Sequence, residues 1–351
     1  MSKVHSPTNI LIVRLDRIGD VLLSTPAIKA IKDAFPNSRL SFMVKPYARE
    51  VVEGNPYLED VIIYDKEGTE KSLSGNMKFA LMLRRRKFDM AIILHPMTRA
   101  HLVTFLAGIP IRFGYNRKAG FFLTRKIPHT KQYGLRHEID YVLDMLGYIG
   151  IRSDDRSLYM PADKTSEERV RKIFAENGVK DGDTIVAIGP GASCVSKRWP
   201  KERFAEVGEG LMKRFGAKIV ILAGPEDKDH GNGVARLIRQ GCINLSGKTR
   251  VSDAASVLRR AVLFISNDSG LVHIASAVET PSVVIFGRSD TGLSPLRWGP
   301  SGKEDIVLHK DVDCDVCLAH RCQTGFKCLY AVSAGEVIKA AETIISRRGG
   351  V

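Results

Sequence analysis

The chain is short of acidic residues and contains no long apolar run. It has 39 Asp and Glu residues against 53 Lys and Arg residues in 351 positions, a formal net charge of +14. Such an excess indicates an acidic partner: nucleic acid, an anionic membrane surface or a phosphorylated substrate. No apolar run reaches the ~20 residues of a membrane span, and the N-terminal MSKVHSPTN has no hydrophobic signal region. We therefore expect a cytoplasmic protein, with peripheral contact to an anionic membrane left open.

Two common nucleotide-binding signatures are also missing from the sequence. There is no Walker lysine motif, and no G-x-G-x-x-G follows the first predicted strand. The first absence argues against a P-loop NTPase, and the second weakens the case for a dinucleotide-dependent dehydrogenase.

Cysteine is scarce, with six residues, yet four of them are clustered near the C-terminus. In a cytoplasmic protein such a cluster suggests a structural metal more than disulfides, but the second spacing is not that of a zinc-ribbon pair. A structural metal, free thiols and a redox-dependent bridge all stay open for these residues, which are Cys314, Cys317, Cys322 and Cys328.

Strand-like apolar runs alternate with helical patterns along the chain. Asn9–Leu15 and Met90–Leu94 are such runs in the first half, and Thr184–Ile188 and Pro281–Phe286 in the second. The alternation predicts an α/β fold with two doubly wound parallel sheets, and ligands favour the cleft that two such domains form.

The polar stretch from 151 to 165 predicts a domain linker. We assign an N-terminal domain to residues 1–155 and a C-terminal domain to residues 166–330. We expect residues 331–351 to form a helix that packs back toward the N-terminal domain.

Polar and glycine residues follow several predicted strands of the second half. Because the carboxyl ends of parallel strands converge, these loops predict a nucleotide-binding site. In such a site, glycines allow the ligand to approach the backbone closely. Hydroxyl groups and a lysine would bind the phosphates, and an acidic residue would bind the ribose. For the loop around Ser269 and His273 the alternative is a helix cap beside a structural histidine. The candidates are Gly191, Ser193, Lys197, Glu226, Ser269, Gly270 and His273.

Two further candidate regions lie in the first half. Asp20 follows the first strand through a tight turn, where it is placed to cap the next helix. The region 109–137 is basic and carries aromatic residues, which suits a phosphorylated, partly apolar acceptor; a solvated charge run is the alternative. Arg112 and Arg117 are its candidate acceptor-binding residues.

Three separated segments resemble the ADP-heptose:lipopolysaccharide heptosyltransferase family, glycosyltransferase family 9. They are ILIVRLDRIGDVLLSTPAIKAIKDAFP, GPGASCVSKRWP and NDSGLVHIASAVETPSVVIFG, and their order and spacing fit along nearly the whole chain. The resemblance implies a GT-B fold with two Rossmann-like domains facing a cleft. It also implies an inverting, metal-independent glycosyltransferase that moves heptose from ADP-L-glycero-D-manno-heptose to an inner-core lipopolysaccharide acceptor, without a cofactor.

The resemblance also implies roles for single residues. Asp20 matches the catalytic base, which takes a proton from the acceptor hydroxyl, and Lys197 matches the lysine that neutralises charge on the departing diphosphate. Domain closure would align the reacting groups and exclude water. The motif D-[ST]-G-x-x-H is matched by Asp268, Ser269, Gly270 and His273, with Asp268 expected to bind hydroxyls rather than phosphate.

The residues before Lys197 depart from the common form of their loop, so the phosphate-binding hydroxyl stays unsettled between Ser193 and Ser196. The partners implied are ADP-heptose, a lipopolysaccharide core or lipid A acceptor and the cytoplasmic face of the inner membrane, with no nucleic acid. Three alternatives stay open: a GT-B transferase or epimerase using another nucleotide sugar, a basic nucleic-acid-binding protein with a cysteine metal module, and a non-catalytic nucleotide-sugar-binding relative.

Overall fold

The computed structural model describes residues 7–314, 317 and 321–348, which form two compact units. The first unit runs to Gln132 and resumes at Glu138–Pro161; the second begins at Ala162. The change at Pro161 falls inside the stretch that we expected to be a linker. The segment Tyr133–His137 belongs to the second unit, which no sequence pattern indicated.

The first unit is built on a six-stranded parallel sheet in the order β3-β2-β1-β4-β5-β6. Its central strands are continuous apolar runs because helices cover both faces of a doubly wound sheet. The strands are β1 (Asn9–Val13), β2 (Arg39–Val44), β3 (Asp60–Ile63), β4 (Met90–Ile93), β5 (Ile111–Tyr115) and β6 (Arg125–Ile127). The α-helices are α1 (Ile18–Leu22), α2 (Thr25–Ala34), α3 (Arg49–Val52), α4 (Leu73–Arg85), α5 (Thr98–Leu106) and α6 (Glu138–Gly147).

The prediction that Asp20 caps one long helix is wrong. Arg17 is the N-cap of the short helix α1, and Asp20 lies in its first turn, where Oδ2 accepts a hydrogen bond from the Arg17 N–H at 3.3 Å. A second helix, α2, begins at Thr25 with Pro26 in its first turn. Pro26 has no N–H to donate to the Leu22 carbonyl four residues earlier, and its ring crowds that carbonyl, so the helix ends at Leu22 and restarts at Thr25.

The second unit contains another six-stranded parallel sheet, in the order β12-β11-β10-β7-β8-β9. Its strands are β7 (Ile185–Gly189), β8 (Lys218–Ile221), β9 (Ile243–Asn244), β10 (Leu263–Asn267), β11 (Ser282–Phe286) and β12 (Ile306–His309). Its α-helices are α7 (Lys164–Glu176), α8 (Lys201–Phe215), α9 (Lys228–Leu237), α10 (Val251–Arg260), α11 (Gly270–Ala277), α12 (Pro295–Trp298), α13 (Lys327–Tyr330) and α14 (Ala334–Arg348).

The C-terminal helix α14 packs in the core of the second unit. Val337, Ala341 and Ile344 recur at helical spacing, form one apolar face and are fully buried. That face joins the second unit's core beside Leu211 of α8. Burial against the nearest matching apolar face therefore fixes the helix within its own unit.

Each sheet has a point where the strand order reverses. In the first sheet β1 and β4 flank this point, and in the second β7 and β10 flank it. Ligands of doubly wound sheets bind in the crevice outside the strand ends at such points. Among the described residues, no helix is both long enough and apolar enough to cross a bilayer.

Candidate active site

A cluster of buried charges lies at the carboxyl end of β1. The Arg14 guanidinium, 1% exposed, lies 2.8 Å from Asp16 Oδ2, 2.9 Å from Asp20 Oδ1 and 3.1 Å from Glu138 Oε1. Lys131 Nζ, also buried, lies 2.6 Å from the same Glu138 oxygen. Two cations thus face three carboxylates, and the cluster carries one negative charge in excess. Asp16 and Asp20 are the two carboxylates that stay partly exposed.

Asp20 has the properties of a positioned base. Its Oδ1 accepts a hydrogen bond from Arg14, and this contact fixes the orientation of the carboxylate. Burial raises the pKa of the Asp20 carboxyl above its ordinary value, while the Arg14 guanidinium opposes that rise. A carboxylate with a raised pKa binds a proton more strongly, which favours general-base chemistry at this position.

His95 follows β4 and borders the same cluster, although the sequence did not mark it as a candidate. Its Nδ1 lies 3.6 Å from Asp16 Oδ2. Burial and the nearby cations Arg14 and Lys131 lower the pKa of His95 to about 3. The ring is therefore neutral at pH 7 and offers hydrogen bonds rather than charge. Its position after a strand at the reversal point was the signal that could have identified it.

A second charge cluster lies at the carboxyl ends of β10 and β11. Asp268 Oδ2 is 2.7 Å from Lys197 Nζ and 2.9 Å from the Arg288 Nη2. All three side chains are at most 15% exposed. Because two cations share one carboxylate, the group keeps one positive charge in excess, which suits a diphosphate. Arg288 was missed in the sequence, although it follows the predicted strand by two residues.

The loop that carries Lys197 is held at both ends by one side chain. Asn267, fully buried at the end of β10, accepts a hydrogen bond from the Trp199 N–H at 3.0 Å. Its amide Nδ2 donates to the Pro190 carbonyl at 2.7 Å. The loop also approaches Asp227 so closely that a Cβ at Gly191 would lie 2.6 Å from the Asp227 carboxylate. A side chain at position 191 would therefore displace the Asp227 side chain, so glycine is favoured there.

The other residues predicted to bind the sugar donor differ in how exposed their side chains are. Ser193, Glu226 and Gly270 are exposed, on the loops after β7 and β8 and at the start of α11. Ser196 is buried, with its Oγ 3.3 Å from Cys194 Sγ, whereas Ser193 on the same loop is exposed. Ser269 is the N-cap residue of α11, but its side chain makes no capping hydrogen bond, and its Oγ lies 3.1 Å from Ser266 Oγ. The prediction of a side-chain cap at Ser269 is therefore wrong.

Glu226 is exposed, whereas its neighbour Asp227 is fixed by a hydrogen bond. Asp227 Oδ1 accepts a hydrogen bond from the Arg198 guanidinium at 2.7 Å. Sequence patterns did not distinguish Glu226 from Asp227, because both lie in the same turn after a strand and only the folded contacts separate them.

His273 lies one turn into α11 and is buried. Its Nδ1 has no hydrogen-bond partner among the described residues, so a buried polar atom is left for a ligand group to satisfy. Burial lowers the pKa of His273 to about 4, with Asp268 opposing the shift and His137 and Lys197 adding to it. The ring is thus neutral at physiological pH.

This depressed pKa makes a testable prediction about acid stability. The unfolded chain binds a proton at His273 below about pH 6.5, whereas the folded chain does not until about pH 4. The free energy of unfolding should therefore fall as the pH drops from 6.5 to 4, by on the order of 3 kcal/mol from this residue. Urea unfolding of the wild type and of His273→Gln at both pH values measures the difference. An equal pH dependence in the two proteins would contradict the assignment.

The two basic candidates of the first unit are placed differently. Arg112 lies near the amino end of β5, its Nε donates to the Phe122 carbonyl at 2.7 Å, and its guanidinium stands over the Phe105 ring. These contacts occupy the side chain and point to a structural role. Arg117 follows the carboxyl end of β5 and is exposed, with Nη1 3.4 Å from His129 Nδ1.

The four clustered cysteines line one cavity of about 320 Å³ together with Ser196 and Arg288. Within the described ranges, no group of three or more Cys, His, Asp or Glu side chains is arranged to hold a metal ion. Hydrogen bonds from Thr324 and nearby backbone N–H groups lower the pKa of the Cys322 thiol. A thiolate there can react with oxidants or metals more readily than an ordinary surface cysteine. The cysteines of this cavity are Cys314, Cys317, Cys322 and Cys328.

The two doubly wound units, each with charged side chains at its reversal point, have the architecture of the GT-B fold. Residues 76–327 match the family model described as glycosyltransferase family 9 (heptosyltransferase), and the chain belongs to this family.

Curated and solved relatives match most of the chain in sequence or in fold. Lipopolysaccharide heptosyltransferase 3 of Escherichia coli K12 is 26% identical over 339 residues, covering 93% of this chain and 95% of its own. The crystal structure of a family 9 glycosyltransferase from Veillonella parvula superposes with a TM-score of 0.87 at 28% identity, covering 97% and 98% of the two chains. The structure of E. coli heptosyltransferase WaaC with ADP matches with a TM-score of 0.72 at 22% identity, covering 96% and 100%.

Proposed function

We propose that this chain transfers heptose from ADP-L-glycero-D-manno-heptose to a saccharide of the lipopolysaccharide inner core. The observation that carries the proposal is the Lys197–Asp268–Arg288 group, which presents a net positive charge where doubly wound sheets bind phosphates. Family membership supports the reaction class, and the heptosyltransferase relatives support the sugar.

The donor diphosphate would contact Lys197 and Arg288, with the exposed hydroxyl of Ser193 and the backbone N–H groups at the start of α11 beside it. Asp268 would not face the phosphates, since its carboxylate is already paired with both cations. His273 Nδ1, buried and without a partner in the described part of the chain, suits a hydroxyl of the donor.

In the first unit, Asp20 would act as the general base. Its carboxylate takes the proton of the acceptor hydroxyl, and the freed electron pair of that oxygen attacks the anomeric carbon of the heptose. The bond from this carbon to the diphosphate oxygen breaks, and ADP leaves with the electron pair. Displacement in one step inverts the anomeric centre.

Lys197 and Arg288 would stabilise the charge that develops on the departing ADP. This is the task that a divalent cation performs in many phosphoryl and sugar transfers, so the scheme has no step that requires a metal. We place the reaction at the cytoplasmic face of the inner membrane, where the acceptor is lipid-linked. The free thiols Cys194 and Cys242 suit a reducing compartment.

Nucleotide binding tests the donor site directly. We expect calorimetry to show ADP binding more tightly than UDP or GDP, and Lys197→Met to weaken ADP by about tenfold or more through loss of a charged contact. Asp268→Asn should bind ADP at least as tightly as the wild type, because it removes the negative charge that Lys197 and Arg288 share.

Lys213→Met, on the exposed surface of α8, is the matched control and should leave ADP affinity unchanged. A preference for UDP or GDP would discard heptose but keep the glycosyltransferase class. Equal binding by Lys197→Met and the wild type would remove Lys197 from the donor site.

A further inference from the structure

The helix α4 of the first unit has an apolar face on each side. Phe79 and Leu83 belong to the face that is buried in the core. Leu73, Met77 and Leu81 follow one another at intervals of four residues on another face, and they are 75%, 44% and 49% exposed. An ordinary surface helix has polar residues there, so this stripe calls for an explanation.

The charged residues of the segment that carries the stripe are all basic. From position 71 to position 88 the sequence contains no acidic residue. Six exposed basic residues lie in this segment: Lys71, Lys78, Arg84, Arg85, Arg86 and Lys87. Arg86 forms an ion pair with Asp60 at the start of β3. Two exposed leucines and an exposed methionine therefore lie on a segment whose own charges are all positive, with five basic residues besides the paired Arg86.

We propose that this face of α4 docks on the surface of an anionic phospholipid bilayer. A helix that combines an apolar stripe with basic flanks lies in the plane of the membrane interface, where the apolar side chains enter the acyl boundary and the cations meet the headgroups. A second copy of the chain fits less well, because self-pairing of this face would bring basic residues together. Nucleic acid would neutralise the charges but leave Leu73, Met77 and Leu81 without an apolar partner.

The position of α4 within the first unit suits an acceptor that is anchored in lipid. Asn76 near its start is hydrogen-bonded to Tyr64, which follows the carboxyl end of β3, while Arg86 just after its end pairs with Asp60. The helix thus runs antiparallel to the strands, over about 20 Å for 13 residues. Its first turn lies toward the strand ends from which the Asp20 turn also departs. The inference deepens the proposed function and rests on it only for the identity of the acceptor.

The test is cosedimentation of the full chain with vesicles. We expect binding to phosphatidylglycerol-containing vesicles, weakening with salt, and little binding to pure phosphatidylcholine vesicles. Replacing the three apolar residues (Leu73→Ser, Met77→Ser and Leu81→Ser together) should reduce binding at least tenfold. Replacing three cations (Lys78→Gln, Arg84→Gln and Arg85→Gln together) should reduce it by roughly a hundredfold.

Matched controls come from exposed residues of the second unit. Leu237→Ser with Leu296→Ser removes exposed leucines, and Lys164→Gln with Lys213→Gln and Lys339→Gln removes three exposed cations. The proposal is overturned if the controls reduce vesicle binding as much as the α4 variants do. It is also overturned if the α4 variants, still folded by thermal melting, bind the vesicles like the wild type, or if duplex RNA but not the vesicles binds the wild type through α4.

Transfer assays separate this proposal from the proposed function. The α4 variants should keep wild-type activity on a water-soluble core saccharide without acyl chains and lose activity only on acceptor embedded in vesicles. Normal transfer to the soluble acceptor by a wild type that does not bind vesicles would overturn the docking face and leave the reaction intact. Vesicle binding through α4 without transfer from ADP-heptose would overturn the proposed reaction and leave the docking face intact.

Discussion

Asp20→Asn is expected to lower kcat for heptose transfer by about 10²- to 10⁴-fold, the usual contribution of a general base. The amide keeps the size of the side chain and can still accept a hydrogen bond from Arg14, but it cannot take a proton. ADP affinity should stay within about twofold of the wild type, because the proposed diphosphate contacts come from Lys197 and Arg288. Single-turnover rates with saturating donor, together with calorimetry of ADP, measure the two effects separately.

The pH dependence gives the same assignment an independent check. Asp20 must be ionised to act, and burial raises its pKa, so the wild-type rate should fall as the pH drops through that raised value. This acidic limb should be missing from the residual activity of Asp20→Asn. Asp33→Asn, an exposed change on α2, is the matched control and should keep full activity. A rate for Asp20→Asn within tenfold of the wild type would show that another group is the base.

Glu138→Ala is expected to lower the free energy of unfolding by about 3–5 kcal/mol, the range for breaking a buried ion pair from one side. The reason is Lys131, which is 1% exposed and whose ammonium lies 2.6 Å from the Glu138 carboxylate. Without Glu138, that charge stays away from water after losing its nearest anion. Arg14 loses the same carboxylate but keeps Asp16 and Asp20. Urea unfolding followed by circular dichroism gives the measurement.

Glu59→Ala is the matched control for this prediction. Glu59 also pairs with an arginine, Arg39, at 2.7 Å, but the two side chains are 48% and 71% exposed. Exposed ion pairs contribute at most about 1 kcal/mol, so this variant should be nearly as stable as the wild type. If Glu138→Ala lost no more stability than Glu59→Ala, the buried network would not be a stabilising element of the first unit.

The sequence predicted the loops that carry the two charge clusters because those loops adjoin strongly patterned segments. The strands around Val13 and Asn267 are apolar runs followed by turn residues, and the carboxyl ends of parallel strands must meet at one edge. The fold class followed from the same alternation and agrees with the family. Local patterns, however, assigned Asp20 to a helix cap, whereas the helix already begins at Ile18, with Arg17 as its N-cap.

Partners that are distant in sequence could not be predicted in this way. Glu138 lies 124 positions from Arg14, and no periodicity links the two. Arg288 pairs with Asp268 across adjacent strand ends, a contact that depends on strand order as well as on strand positions. Sequence patterns fix the elements, whereas the charge networks arise only when the sheet order brings those elements together.

Asn267 is hydrogen-bonded to both ends of the Lys197 loop, and these bonds affect how much the loop sequence can vary during evolution. The Asn267 side chain bonds the Pro190 carbonyl and the Trp199 N–H. Both are backbone groups, so they are present whatever side chains lie between them. An exposed position that the proposed donor does not contact, such as Val195, can therefore change without moving the loop. Selection would then act on Asn267, Gly191 and Lys197 and on the Ser193 hydroxyl, while positions such as Val195 are available for adapting the enzyme to a different sugar.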